Sequence, residues 1–156
     1  MLAVLAIVVV AFLAYASTYF RATARAEAAL AGSDSVRVTA TANGYLFDGP
    51  GTEDALVFYP GGKVQCEAYA AQLESIAEKG TDVFLVRMPL NFAFLDMNAA
   101  DSIIGSNEYH YSHWYVGGHS LGGAMAAVYA ADHTSELDGL VVLAAYPTQE
   151  PARAGL

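Results

Sequence analysis

Residues 2–20 carry no charged side chain, and after them the apolar pattern changes period several times along the chain. As a helix this first run would span roughly 28 Å, nearly the thickness of a hydrocarbon core. Residues 22–31 are Ala-rich and predict a helical stalk, broken by Gly32-Ser33-Asp34. Residues 36–41 alternate at period two, and Asn43-Gly44 predicts a tight turn into a second short strand, Tyr45-Leu46-Phe47. Residues 55–59 are instead a continuous apolar run, as expected of a strand covered on both faces. Pro60-Gly61-Gly62 follows it. A helix then carries Tyr69, Leu73, Ile76 and Ala77 on one face and stops at Gly80. Residues 82–86 are another buried strand, and residues 98–104 a shorter helix. His113-Trp114-Tyr115-Val116 predicts a third buried strand. The Ala-rich residues 121–132, with Met125, Val128 and Tyr129 at helical spacing, predict a helix, and residues 139–144 a last strand. Strands alternating with helices imply an α/β fold with a mainly parallel sheet and helices on both faces.

Length and composition narrow the function. A chain of 156 residues, 55% of them hydrophobic, can bury one domain-sized core. A net charge of −9 leaves no basic stripe to neutralise phosphates, which argues against nucleic acid as a partner. Cys66 is the one cysteine, so no internal disulfide forms. His110, His113, His119 and His133 fall in no ligand spacing with Cys66 or the carboxylates, and neither a metal nor another cofactor is expected.

Between the strand at residues 113–116 and the helix after it stands Gly118-His119-Ser120-Leu121-Gly122. Gly-x-Ser-x-Gly between a strand and a helix is the context of a nucleophile elbow. A serine oxygen that attacks a carbonyl must stand clear of its backbone on a sharp, strained turn, where side chains at Gly118 and Gly122 would collide. The helix beginning behind Ser120 would offer free N–H groups and a positive dipole end to a developing oxyanion.

Three ordered motifs now stand together: Phe58-Tyr59-Pro60-Gly61-Gly62-Lys63-Val64, residues 83–91 (Val-Phe-Leu-Val-Arg-Met-Pro-Leu-Asn), and Gly117-Gly118-His119-Ser120-Leu121-Gly122-Gly123. With them the chain resembles the α/β-hydrolase superfamily, and most closely its bacterial membrane-associated, esterase-, lipase- and dienelactone-hydrolase-like branch. The resemblance runs from about residue 44 to residue 147. It implies a serine hydrolase with Ser120 as catalytic nucleophile and an acyl-enzyme intermediate on a small-molecule acyl substrate. It also implies an oxyanion hole built from the backbone N–H of Leu121 and one from Gly62 or its neighbour Lys63. Met88, Phe92 and Phe94 could line an acyl pocket, although such residues are more often core.

The family order places an acid and a histidine after the serine. No histidine here fills that role. His133 ends the elbow helix roughly 20 Å from Ser120, His119 points away on the elbow itself, and His110 and His113 precede the strand and lie at the opposite edge. Glu150 follows the last strand, where some hydrolases carry their acid, whereas Asp138 precedes it. The expectation is a hydrolase sheet incomplete at its C-terminus, its acid and histidine lying beyond Leu156 and the last strand's edge uncovered. The alternative is a membrane-anchored module that keeps the fold and binds without chemistry. The expected layout is a single-pass transmembrane anchor over residues 1–21, or a signal-like segment with a small-residue site at Ala14-Tyr15-Ala16 but no basic residues before it, then a stalk over 22–34 and a partial hydrolase domain over 35–156. Arg21 and Arg25 leave its orientation open, with an extracytoplasmic domain expected.

Overall fold

The continuous apolar runs fold as the buried centre of one sheet. In a computed structural model the described residues are 1–146. In chain order the strands are β1 (Arg37–Thr41), β2 (Gly44–Asp48), β3 (Asp54–Tyr59), β4 (Thr81–Val86), β5 (His113–His119) and β6 (Gly139–Leu143). Their order in the sheet is β1-β2-β4-β3-β5-β6. β1 and β2 form an antiparallel hairpin and β2 pairs antiparallel with β4, while every pair from β4 to β6 is parallel. Alternate residues of β3 feed two cores. Val57 and Tyr59 pack with Val116 and with Ala126 and Tyr129 of helix α5 (Leu121–Asp132). Leu56 and Phe58 face the other way, onto Ala70, Leu73 and Ala77 of helix α3 (Ala70–Ala77). The expected mainly parallel sheet with helices on both faces is therefore what forms.

Three local expectations shift by one to three residues. The hairpin loop is Ala42-Asn43, because Thr41 pairs with Gly44. Gly44 instead opens β2 at φ 148°, where a Cβ would stand 1.9 Å from the Leu85 carbonyl oxygen. Tyr69 lies in a 3₁₀ turn, Cys66–Tyr69, that precedes α3. The short helix α4 covers Asp101–Ile104.

The N-terminal segment corrects the expectation of a membrane-crossing helix. Helix α1 is Leu2–Ser17, 16 residues long, which reaches about 24 Å and falls short of a hydrocarbon core. No helix among the described residues is long and apolar enough to cross a membrane. α1 ends where hydroxyls compete for its last carbonyls: Ser17 Oγ donates to Ala14 O, and Thr18 Oγ1 to Tyr15 O. Phe20 then leaves the helix to pair with the β3 exit loop, donating its N–H to Lys63 O and accepting from Gln65 N–H. Phe12 and Tyr15 rest on Phe92, with ring centroids 5.7 and 6.3 Å apart. The expected stalk is replaced by a separate helix, α2 (Ala24–Ala29), capped by the Thr23 hydroxyl. Its Ala29 packs in the core beside Leu73 and Ala77.

β6 is the edge of the described sheet, with Val141 and Leu143 exposed.

Candidate active site

From β3 the chain crosses first to β4 on one side and later to β5 on the other, so the strand order reverses at β3. In an open α/β sheet the crevice beyond the carboxyl ends of strands at such a reversal is where ligands bind. Tyr59 is in register with Gly118, which brings the exit loop of β3 beside the turn that leaves β5.

That turn holds Ser120 at φ 52° and ψ −122°, a region that L-residues rarely occupy. Two bonds fix it: Ser120 N–H donates to Leu143 O at 2.9 Å, and Ser120 O accepts from Ala124 N–H at 3.0 Å. The flanking glycines are sterically required. A Cβ on Gly118 would stand 2.6 Å from the Gly122 carbonyl carbon, and one on Gly122 would stand 2.1 Å from Tyr59 O. Ser120 itself is exposed, at the head of α5. Other left-handed residues crowd the same rim: Lys63 after β3, Leu90 and Asn91 after β4, and Ala144 after β6.

The β3 exit loop is tied down unevenly. Gly61 N–H donates to Tyr69 Oη at 3.0 Å, and Lys63 N–H donates to Asn91 O at 2.9 Å. Between them, Gly62 N–H has no acceptor among the described residues. Gly62 lies against the residue after Ser120, where a Cβ would meet Leu121 Cδ2 at 2.9 Å. The structure thus brings the Gly62 loop and the Leu121 turn together, and it occupies the Lys63 N–H elsewhere.

A family model described as "Alpha/beta hydrolase family" matches residues 55–154, well over half of the chain. The chain belongs to the alpha/beta hydrolase family. Among solved structures it is similar to one titled "Bacterial Heroin Esterase", at 22% identity and a TM-score of 0.53. That likeness covers 69% of this chain and 44% of the esterase, so the chain spans less than half of that protein's length, and the likeness is one of fold. No curated protein matches.

In this alpha/beta hydrolase three of the four histidines have hydrogen-bond partners of their own. His119 Nδ1 lies 2.9 Å from Tyr69 Oη. His113, at the start of β5, pairs with Asp138 at 3.2 Å, and the second Asp138 oxygen accepts from Trp114 N–H. His133 stacks on Tyr129 at the far end of α5 and bonds the Tyr129 carbonyl. His110 is exposed in the loop before β5. Among the described residues none of them is hydrogen-bonded to Ser120. Glu150 lies outside the described residues. No group of three or more His, Cys, Asp or Glu gathers into a metal-binding cluster among the described residues. Burial pushes the thiol of Cys66, which lies in the core with Leu73 and Ala77, up to about 12, so it stays protonated at neutral pH.

The 3₁₀ turn beneath the exit loop is anchored by charge. Glu67 Oε1 accepts from Arg87 Nη2 at 2.7 Å and from Tyr45 Oη at 3.0 Å. Burial would raise the Glu67 carboxyl, yet the hydrogen bonds, that from Arg87 foremost, hold it down at about 2 against an ordinary 4.5. A depressed carboxylate stabilises the fold above its unfolded value and loses that contribution as pH falls from about 4.5 towards 2. Glu67→Gln is therefore expected to flatten the acid limb of stability. Urea unfolding at a series of pH values between 7 and 2 measures this, and equal slopes in both proteins would contradict it.

Sequence reading missed two features of this site. Tyr69 sits at helical spacing with Leu73 and so reads as core, and nothing local marks its hydroxyl as a partner of Gly61. The pairing of Phe20 with Lys63 and Gln65 joins segments more than forty residues apart, so no short motif reports it.

Proposed function

We propose that the protein is a serine hydrolase of small-molecule esters, acting through an acyl-enzyme on Ser120. The observation that carries this reading is Ser120 itself. It is exposed and strained at the strand-order reversal, with a helix N-terminus behind it and, against the neighbouring Leu121, a Gly62 whose N–H has no acceptor among the described residues. In the proposed reaction, Ser120 Oγ attacks the ester carbonyl as its proton passes to a base. The carbonyl oxygen, now negative, accepts from Leu121 N–H and Gly62 N–H. Collapse of the tetrahedral adduct expels the alcohol, which takes a proton, and leaves the acyl group on Ser120. Water attacking the same carbonyl releases the acid and regenerates the hydroxyl. Lys63 N–H, directed to Asn91, is assigned no part. The esterase title of the structural relative agrees with an ester as substrate. Phe92, beside Gly62, and the exposed Leu90 and Phe94 offer an apolar surface for the acyl group.

The base is assigned to none of the four histidines. The residues described here are expected to retain only the catalysis of the oxyanion hole and of binding, roughly 10³–10⁴ over water in hydrolases stripped of their triad. Incubating the 156-residue chain with p-nitrophenyl acetate should give slow turnover and an acetyl group on Ser120, located by mass spectrometry. His110→Ala and His133→Ala should leave that rate unchanged. Fast turnover lost in either variant would show the base assignment to be wrong. A second reading, a module that binds without reacting, is favoured by the lack of a histidine bonded to Ser120 among the described residues. An acetyl adduct on Ser120 excludes it.

A further inference from the structure

Between the elbow and the β3 exit loop runs a short polar chain that the acyl-transfer steps do not use. Gly61 N–H donates to Tyr69 Oη at 3.0 Å, and the same oxygen lies 2.9 Å from His119 Nδ1. His119 immediately precedes Ser120, and Gly61 immediately precedes Gly62. One tyrosine hydroxyl therefore ties together the neighbours of the candidate nucleophile and of the candidate oxyanion donor.

Each member of this chain is held. The Tyr69 ring packs on Phe58 at 5.2 Å between centroids and on the His119 ring at 5.8 Å. Burial raises the Tyr69 phenol above its ordinary value, against the opposing pull of the Gly61 hydrogen bond, so the hydroxyl keeps its proton at neutral pH. With its oxygen accepting from Gly61 N–H, the same hydroxyl shares a second hydrogen bond with His119 Nδ1, in which either group can donate. Space around the junction is closed as well. A Cβ on Gly61 would stand 2.8 Å from Tyr69 Oη and 2.9 Å from His119 Nδ1.

Consecutive glycines explain why such a tie is needed. The N–H of Gly62 belongs to the peptide plane that hinges on Gly61, and glycine permits a wide range of φ and ψ. A donor on such a hinge is useful only if the plane is fixed on both sides. Within the plane Gly61 O accepts from Val64 N–H at 3.3 Å, Lys63 N–H to Asn91 O holds the far side, and Tyr69 holds the near side to the elbow.

We propose that Tyr69 and His119 are positioning residues, clamping the β3 exit loop to the elbow so that Gly62 N–H faces the oxygen bound at Ser120. The clamp's catalytic purpose rests on the hydrolase reading above, while the clamp itself rests only on the geometry.

Two measurements separate them. Amide hydrogen exchange across residues 60–63 needs no reaction. Exchange at Gly61, whose N–H is the one bonded to Tyr69 Oη, should be faster in Tyr69→Phe and His119→Ala than in the wild type, with little change in the sheet amides. Phosphonylation of Ser120 by a fluorophosphonate ester, followed by mass spectrometry, reads the chemistry. Its limiting rate should fall roughly tenfold or more in Tyr69→Phe, with the probe's binding constant unchanged, because a misplaced donor costs transition-state stabilisation rather than binding. His119→Asn, whose amide lies near the lost Nδ1, should recover part of the rate that His119→Ala loses. Unchanged exchange in Tyr69→Phe overturns the clamp. Faster exchange with an unchanged rate overturns its positioning role. A wild type that is never phosphonylated removes the hydrolase reading, and with it the catalytic purpose, while exchange still reports the clamp.

Discussion

Replacing Ser120 by alanine is expected to abolish covalent labelling of the protein by a fluorophosphonate probe while leaving the fold intact. The wild-type adduct should map to the peptide containing Ser120 and to no other serine. Labelling requires a hydroxyl that the probe can reach and donors that receive the displaced negative charge. Among the described serines, Ser120 is the one that is exposed at the head of α5, next to the Leu121 that meets the Gly62 loop. Labelling of the wild type should be slow, since no described histidine takes the proton, but its dependence on Ser120 should be absolute. The alanine variant loses no hydrogen bond that holds the turn, because those bonds run through the Ser120 backbone. Its thermal midpoint should accordingly stay close to that of the wild type. An adduct that persists in a folded Ser120→Ala protein would place the nucleophile elsewhere.

The second large effect is expected from one added methyl group. Gly122→Ala would put a Cβ 2.1 Å from Tyr59 O and 2.3 Å from Pro60 O. Both oxygens belong to backbone, at the end of β3, so no rotamer change relieves the overlap. Relief requires α5 to move away from β3, opening the core around Tyr59, Ala126 and Tyr129. A cost of about 3–5 kcal/mol is expected, in the range where single substitutions become exceptional. Against a total stability of roughly 5–15 kcal/mol this leaves a marginal fold, and thermal unfolding should move down by about 10 °C or more. Gly62→Ala is the control. Its Cβ would meet the end of the Leu121 side chain, which can turn aside. Equal midpoints for Gly122→Ala and the wild type would show that the elbow is looser than its contacts require.

The sheet and the elbow are legible in the sequence because both are written locally. β3 and β4 are short apolar runs with no polar alternation, and burial on both faces follows from that pattern. The two glycines around Ser120 report a turn that no other residue fits, and the helix after it begins where its Ala-rich run begins. What stayed hidden depends on distant partners. Residues 2–20 read as one apolar helix, yet the chain unwinds after Ser17 because the Phe20 backbone finds a strand-like partner in Lys63 and Gln65. Gly62 reads as the oxyanion donor with its neighbour Lys63 as the alternative, and the bond from Lys63 N–H to Asn91 O appears only once the chain is folded. Tyr69 reads as one more apolar position on a helix face, since a hydroxyl advertises nothing until its neighbours are assembled.

The clasp between Phe20 and the β3 exit loop bears on how the protein is cut for expression. A fragment trimmed to begin at α2 would look tidy, since it starts with a capped helix and discards the exposed apolar residues of α1. It would also strip Lys63 O and Gln65 N–H of their partners, and the Gln65 side chain of the Ala22 N–H it accepts. These groups border the residues that shape the oxyanion side of the site. Fragment boundaries and affinity tags are therefore best placed upstream of Thr18, whose hydroxyl meets Lys63 Nζ, so that α1 can be shortened without loosening the loop it leads to.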